Sequence, residues 1–146
     1  MFRGRYTHNI DSKGRLSIPA GFRSEMQDRS TRAPILTNEK SCLVLYANED
    51  WAEIEESLAA RARVAPENKA YLRFMVSGAV EAPFDSQGRI LVPQFLRDHA
   101  HLEREVTIAG VGPRIEIWDK TLFDQELQRT VADFDAIASA VAMSES

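Results

Sequence analysis

The chain has 146 residues, 44% hydrophobic and 27% charged, which suits one ordinary domain or two very small ones and excludes an elaborate multidomain enzyme, a collagen-like chain and a wholly disordered one. The net charge of −4 argues against a nucleic-acid binder until the charges are located. Residues 1–32 hold seven cations (Arg3, Arg5, Lys13, Arg15, Arg23, Arg29, Arg32) against three anions (Asp11, Glu25, Asp28), a local +4 that leaves −8 for the rest and marks a candidate polyanion-binding edge.

In chain order, Tyr6 to Ile10 and Leu16 to Ile18 are extended runs around Asp11-Ser12-Lys13-Gly14, and they predict a β-hairpin with that turn at its tip. The Asp side chain can cap the turn's amides and the Gly can take positive φ. Pro19 fits the first position of a short helix with Phe22 and Met26 on its apolar side. Residues 34–36 and 43–46 follow as a strand pair. Asn48 or Asp50 then caps a longer helix with Trp51, Ile54 and Leu58 at helical spacing, whose acidic residues Glu49, Asp50, Glu53, Glu55 and Glu56 read as its wet face. Pro66 to Met75 reads as a helical link.

The order of features then begins again. Asp11-Ser12-Lys13-Gly14-Arg15-Leu16-Ser17-Ile18-Pro19 recurs as Asp85-Ser86-Gln87-Gly88-Arg89-Ile90-Leu91-Val92-Pro93, with five of nine positions identical, and the register extends to Gly4/Gly78 and Arg23/Arg97. After Pro93, a short helix with Leu96 and Ala100, a strand pair 106–109 and 114–118, and a helix capped by Thr121 with Leu127, Val131 and Phe134 on one face repeat the first half. Tyr46 and Trp51 match Trp118 and Phe123 and are candidates for subunit or repeat contacts, or for plain core. The expected organisation is a first repeat at 1–65, a link at 66–75, a second repeat at 76–135 and a fraying tail at 136–146. Two copies of one unit packed as a pseudo-dimer make an α+β, mostly β, chain.

The duplicated Asp-x-x-Gly-Arg, the opening Met1-Phe2-Arg3-Gly4 and the closing Glu116-Ile117-Trp118 after Gly110 give a sequence that resembles the MraZ family, bacterial transcriptional regulators of the division and cell-wall gene cluster, over nearly its whole length. The resemblance implies two tandem AbrB-like repeats forming an intramolecular swapped-hairpin (double-split) β-barrel with flanking helices. It also implies binding to direct repeats of double-stranded promoter DNA as a homo-oligomer, usually ring-like. The family's basic positions fall on Lys13 and Arg15 in the first copy and Arg89 in the second, where Gln87 replaces the lysine and lowers the charge of that turn.

The residues support such a site independently. Arginine at the root of a turn is preorganised, and its planar fork meets phosphate oxygens or guanine O6 and N7 two at a time. Asp11 and Asp85, each four residues ahead of Arg15 and Arg89, can orient the guanidinium, with Gly14 and Gly88 serving the turn and Arg3 and Arg5 adding charge. The alternative is that each Asp–Arg pair merely ties its own hairpin and the chain is a non-enzymatic interaction scaffold. If one protomer neutralises about three phosphates its salt exponent is only about −3, so useful affinity calls for several protomers on repeated sites.

No catalytic constellation competes with this reading. Gly110-Val111-Gly112-Pro113-Arg114 begins like a dinucleotide fingerprint, but alternation in Ile115-Glu116-Ile117-Trp118 predicts a strand where that fingerprint needs a helix. His99 and His101 diverge on a helix and His8 has no evident partner. Cys42 reads as a small buried side chain, and no metal or cofactor is implied. A lone cysteine, no run of ~18 apolar residues and no apolar leader segment predict a cytoplasmic protein without a membrane span, and the resemblance places it on the nucleoid.

Overall fold

The computed structural model describes residues 1–144. Eight strands and six helices alternate as β1 (Phe2–Asn9), β2 (Arg15–Ser17), α1 (Ala20–Arg29), β3 (Ile35–Asn38), β4 (Leu43–Tyr46), α2 (Asn48–Val64), α3 (Asn68–Ser77), β5 (Val80–Glu81), β6 (Arg89–Leu91), α4 (Gln94–Ala100), β7 (Glu105–Gly112), β8 (Arg114–Asp119), α5 (Lys120–Ala132) and α6 (Phe134–Ser144). The strands form an antiparallel six-stranded sheet, β1-β7-β8-β4-β3-β5, and a two-stranded ladder, β2-β6.

The repeat in the sequence is a two-fold in space. In the small ladder Leu16 faces Ile90, with Arg15 opposite Leu91 and Ser17 opposite Arg89. In the large sheet Val44 faces Glu116, with Leu43 opposite Ile117 and Leu45 opposite Ile115. Each register pairs a residue with its own counterpart at the centre, as a self-complementary interface requires. The first strand of each half joins the third strand of the other: β1 pairs with β7 and β5 with β3.

The sheet is not closed into a barrel. Tyr6–Ile10 and Leu16–Ile18 are extended, yet they touch as a ladder only at the single bridge Ile10–Leu16, because β1 spends its hydrogen bonds on β7 and β2 spends its own on β6. The expected simple hairpin is therefore replaced by exchange between halves. At the other edge β5 has two residues before Pro83, which has no N–H to extend the ladder.

Alternation divides the side chains into two cores. One sheet face packs with the β2-β6 ladder, α1 and α4 around Leu16, Ile18, Leu36, Leu43, Leu45, Ile90, Val92, Leu96, Ile108, Ile115 and Ile117. The other packs under α2, α3 and α5 around Val44, Met75, Ala109 and the aromatics. Tyr46–Trp51, tilted, and Trp118–Phe123, edge to face, meet within their own halves, each pair 5.7 Å between ring centroids, and all four rings are buried in the core.

Several local expectations shift. Pro19 and Pro93 are N-caps, one place before the first helical residue. Ala47, not Asn48 or Asp50, precedes α2, because Asn48 Nδ2 donates to the Ala33 carbonyl at 2.9 Å. Asp119 rather than Thr121 caps α5, accepting from the Leu122 N–H at 3.0 Å. The link helix begins at Asn68, after Pro66 has closed a turn, and it docks: Thr37 Oγ1 donates to the Met75 carbonyl at 2.6 Å and Asn38 Nδ2 to that of Phe74 at 3.0 Å. The face read through Leu127, Val131 and Phe134 breaks, since α5 ends at Ala132 and both Val131 and Phe134 are exposed. The tail does not fray through 136–144, which belong to α6; Glu145 and Ser146 lie outside the described residues. Among the described residues, no helix is long and apolar enough to cross a membrane.

Candidate nucleic-acid interface

The two motif turns are built alike, from one carboxylate each. Asp11 Oδ1 accepts the N–H groups of Lys13 at 3.0 Å and Arg15 at 2.9 Å, while Oδ2 accepts Arg15 Nε at 2.6 Å. Asp85 Oδ1 accepts the N–H groups of Gln87 and Arg89, both at 2.9 Å, and Oδ2 accepts Arg89 Nε at 2.8 Å. Donation by the Arg15 backbone, then by its guanidinium and the Lys13 N–H, lowers the Asp11 carboxyl to about 2. The same donors in the second turn, led by the Arg89 N–H, lower Asp85 below its ordinary value. Among the described residues only Nε is consumed in each arginine, so the Nη groups stay available as a fork.

The glycines lock each turn to the opposite half. Gly14 has φ +89° and Gly88 φ +76°. The Gly14 carbonyl accepts the Val92 N–H at 2.7 Å, and the Gly88 carbonyl accepts that of Ile18 at 3.1 Å. Across Gly14 lies the guanidinium of Arg97, whose Nε donates to Val92 O at 2.9 Å and whose Nη1 reaches the Ser12 carbonyl at 3.4 Å. Across Gly88 lies Arg23, with Nε on Ile18 O at 2.9 Å. Each turn thus carries an arginine from the other repeat. The sequence marked Arg23 and Arg97 as an extension of the repeat register, and Arg23 also as one of the seven N-terminal cations, but gave neither a place at a turn; the pairing between halves brings them there.

Because Leu16 and Ile90 point into the core, alternation sends Arg15 and Arg89 to the opposite, outer side of the ladder. Their side chains are 39% and 25% exposed, so the arginine heads stand at the surface.

The profile of the family described as "MraZ protein, putative antitoxin-like" matches residues 1–74 and again 75–143. The chain belongs to the MraZ family. A protein named transcriptional regulator MraZ in Syntrophobacter fumaroxidans is 42% identical over 127 residues, 87% of this chain and 85% of that one. One of that name in Desulforamulus reducens is 41% identical over 141 residues, 97% of each chain, and one in Thermoanaerobacter pseudethanolicus is 42% identical over 138 residues, 94% of each.

Within this chain, Asp11, Lys13, Gly14, Arg15, Asp85, Gly88 and Arg89 meet at the ladder, whereas Arg3 and Arg5 do not. They occupy the face of β1 opposite His8, whose Nδ1 lies 2.8 Å from the Ser17 carbonyl of β2. Arg5 instead rests 5.8 Å from the Phe123 ring centroid, on the α5 side. Sequence proximity grouped these cations with the motif, and strand alternation separates them.

Two further features weighed in the sequence serve the fold instead. Residues 110–114 form the β7–β8 turn, with Val111 opposite Arg114, and not the start of a dinucleotide site. Cys42 Sγ and the carboxylates of Glu39 and Glu116 lie within 4.8 Å of one another. Arg114 pairs with both carboxylates and donates to the Tyr46 hydroxyl, which offsets one of the two negative charges and occupies oxygens of both, and burial pushes the Cys42 thiol well above its ordinary range.

Proposed function

We propose that this protein is a sequence-specific DNA-binding transcriptional regulator, a repressor of the division and cell-wall gene cluster that binds direct repeats in its own promoter as a ring-like homo-oligomer. In this reading the repeats at 1–65 and 76–135, joined by 66–75 and followed by a tail at 136–146, act as one swapped-hairpin pseudo-dimer on the duplex, in the cytoplasm and on the nucleoid, with no enzymatic role. The observation that carries it is the outer side of the β2-β6 ladder, where both motif arginines project with free Nη groups. Arg15 and Arg89 serve as base-reading forks, Lys13 as a phosphate contact, and Asp11, Asp85, Gly14 and Gly88 as the frame. The names of the relatives support transcriptional regulation. Arg3 and Arg5, on the other face of β1, serve as outlying phosphate contacts.

Anisotropy of labelled promoter repeats at two salt concentrations tests this, with Arg15→Ala alongside. Loss of binding with the fold and assembly intact supports it. Unchanged binding by the variant, or none by the parent, favours the scaffold reading, in which the turns serve only the fold.

A further inference from the structure

We propose that α6 of one copy seats in the groove between α2 and α3 of a neighbouring copy, as a head-to-tail latch. The inference rests on the homo-oligomer reading and names the contact that would build it. Helix α6 carries Phe134, Ile137, Ala138 and Val141 at the spacing of a single helix face. Phe134, Ile137 and Val141 are 58%, 40% and 57% exposed, and α6 buries no residue. An apolar helix face left in water is the kind of surface that a partner covers.

The same molecule holds a complementary receptor. Between α2 and α3 lies a cavity of about 820 Å³ floored by Ala59, Ala62, Leu72 and Val76 and rimmed by Arg63, Lys69 and Arg73. At 1.5 Å per residue α6 is about 16 Å long, matching the roughly 15 Å of α3 that forms one wall. The charges match as well: beyond Thr130 the only charged residues are Asp133, Asp135 and Glu145, all acidic. Neither Asp133, Asp135 nor the three rim cations has an ion-pair partner among the described residues. Opposite charges unpaired on two uncovered surfaces steer those surfaces together.

Geometry makes the contact intermolecular. Helix α5, from which α6 departs, packs on β7 and β8, whereas α3 packs on β3, toward the other edge of the sheet. Latch and receptor are different surfaces, so the contact is heterologous and can be repeated from copy to copy until a ring closes. Pseudo-symmetry points the same way. Both halves follow their long helix with a second one, yet α3 is fixed to β3 by hydrogen bonds from Thr37 and Asn38, while among the described residues the one extensive contact of α6 is with α5.

Sedimentation velocity on the full chain without DNA tests the latch. A buried aspartate without a partner should weaken self-association about a hundredfold or more, so Ile137→Asp with Val141→Asp is expected to give monomers. Arg63→Glu with Arg73→Glu, on the groove rim and outside any core, should do the same. Mixing these two variants should yield a species of two copies and no larger, since one retains a receptor and the other a latch. Adding Asp133→Lys and Asp135→Lys to the rim variant should restore the parent assembly. A monomeric parent, a latch variant that assembles normally, or a rim variant that assembles while the latch variant does not would each overturn the proposal. Failure of the DNA reading shows separately, as an assembled parent that ignores promoter repeats.

Discussion

The two motif turns share a frame and differ in what they display. Corresponding hydrogen bonds accepted by Asp11 and Asp85 agree within 0.2 Å, and both glycines are left-handed. On the outer surface, however, Lys13 faces the solvent in the first half where Gln87 does in the second, Ser17 corresponds to an exposed Leu91, and Gly21 to an exposed Phe95. The carboxylate and the glycine fix the backbone, while the residues between and beyond them set charge and polarity. The frame and the display therefore rest on different positions of one motif, and the additional cation lies in the first half.

The sharpest way to break the equivalence of the frames is at the glycines. A Cβ on Gly14 would stand 2.4 Å from the Val92 carbonyl oxygen, a backbone atom, whereas one on Gly88 would meet the Arg23 guanidinium at 2.5 Å, the end of a flexible side chain. Gly14→Ala should cost about 3 kcal/mol and Gly88→Ala about 1–2 kcal/mol, both including the left-handed φ. Urea unfolding measures the difference, and equal losses would mean the two turns are held alike.

The displayed arginines come next. Arg15→Ala should cost about 1–3 kcal/mol of promoter affinity and blunt discrimination against random DNA. Arg89→Ala should cost less, its side chain being the less exposed of the two. Competition binding with both duplexes ranks them, and a larger loss for Arg89→Ala would reverse the assignment of the first turn as the stronger reader.

Exchange of the differing residue is a smaller perturbation. Lys13→Ala should weaken all sequences together and reduce the salt exponent by about 1 per site, and Gln87→Lys should raise it by about 1. A titration of affinity against salt reads both, and no change with Gln87→Lys would place the second turn off the phosphates.

The smallest effect lies in acid. Asp11 titrates at about 2 in the fold against an ordinary 3.8, so its contribution is complete above pH 3.8 and disappears as pH falls toward 2. Asp85 is lowered in the same direction. Asp11→Asn should flatten the fall of Tm between pH 4 and 2, and an unaltered slope would show that the carboxylate is no better stabilised folded than unfolded.

Much of this was legible without coordinates. The nine-residue repeat announced two units, and Asp, Gly and Pro announced the turn and the helix start, because their preferences are local: an Asx cap, a positive φ, a fixed φ without an N–H. The expected strand pairs, 34–36 with 43–46 and 106–109 with 114–118, overlap β3, β4, β7 and β8, and alternation marked the last of them. The sequence could not tell Asn48 from Ala47 as the cap of α2, since the competing acceptor is Ala33, fifteen residues away.

By itself, then, the sequence determined that the molecule is two copies of one arginine-bearing turn motif, because short-range backbone preferences and an internal repeat are properties of the chain. Only the tertiary structure decided which residues share a surface. Strand exchange carried Arg23 and Arg97 onto the opposite turns, and the pleat of β1 sent Arg3 and Arg5 to the other face of the sheet. Those placements depend on which strand each edge pairs with, and hydrogen-bonding partners distant in sequence leave no mark in local composition.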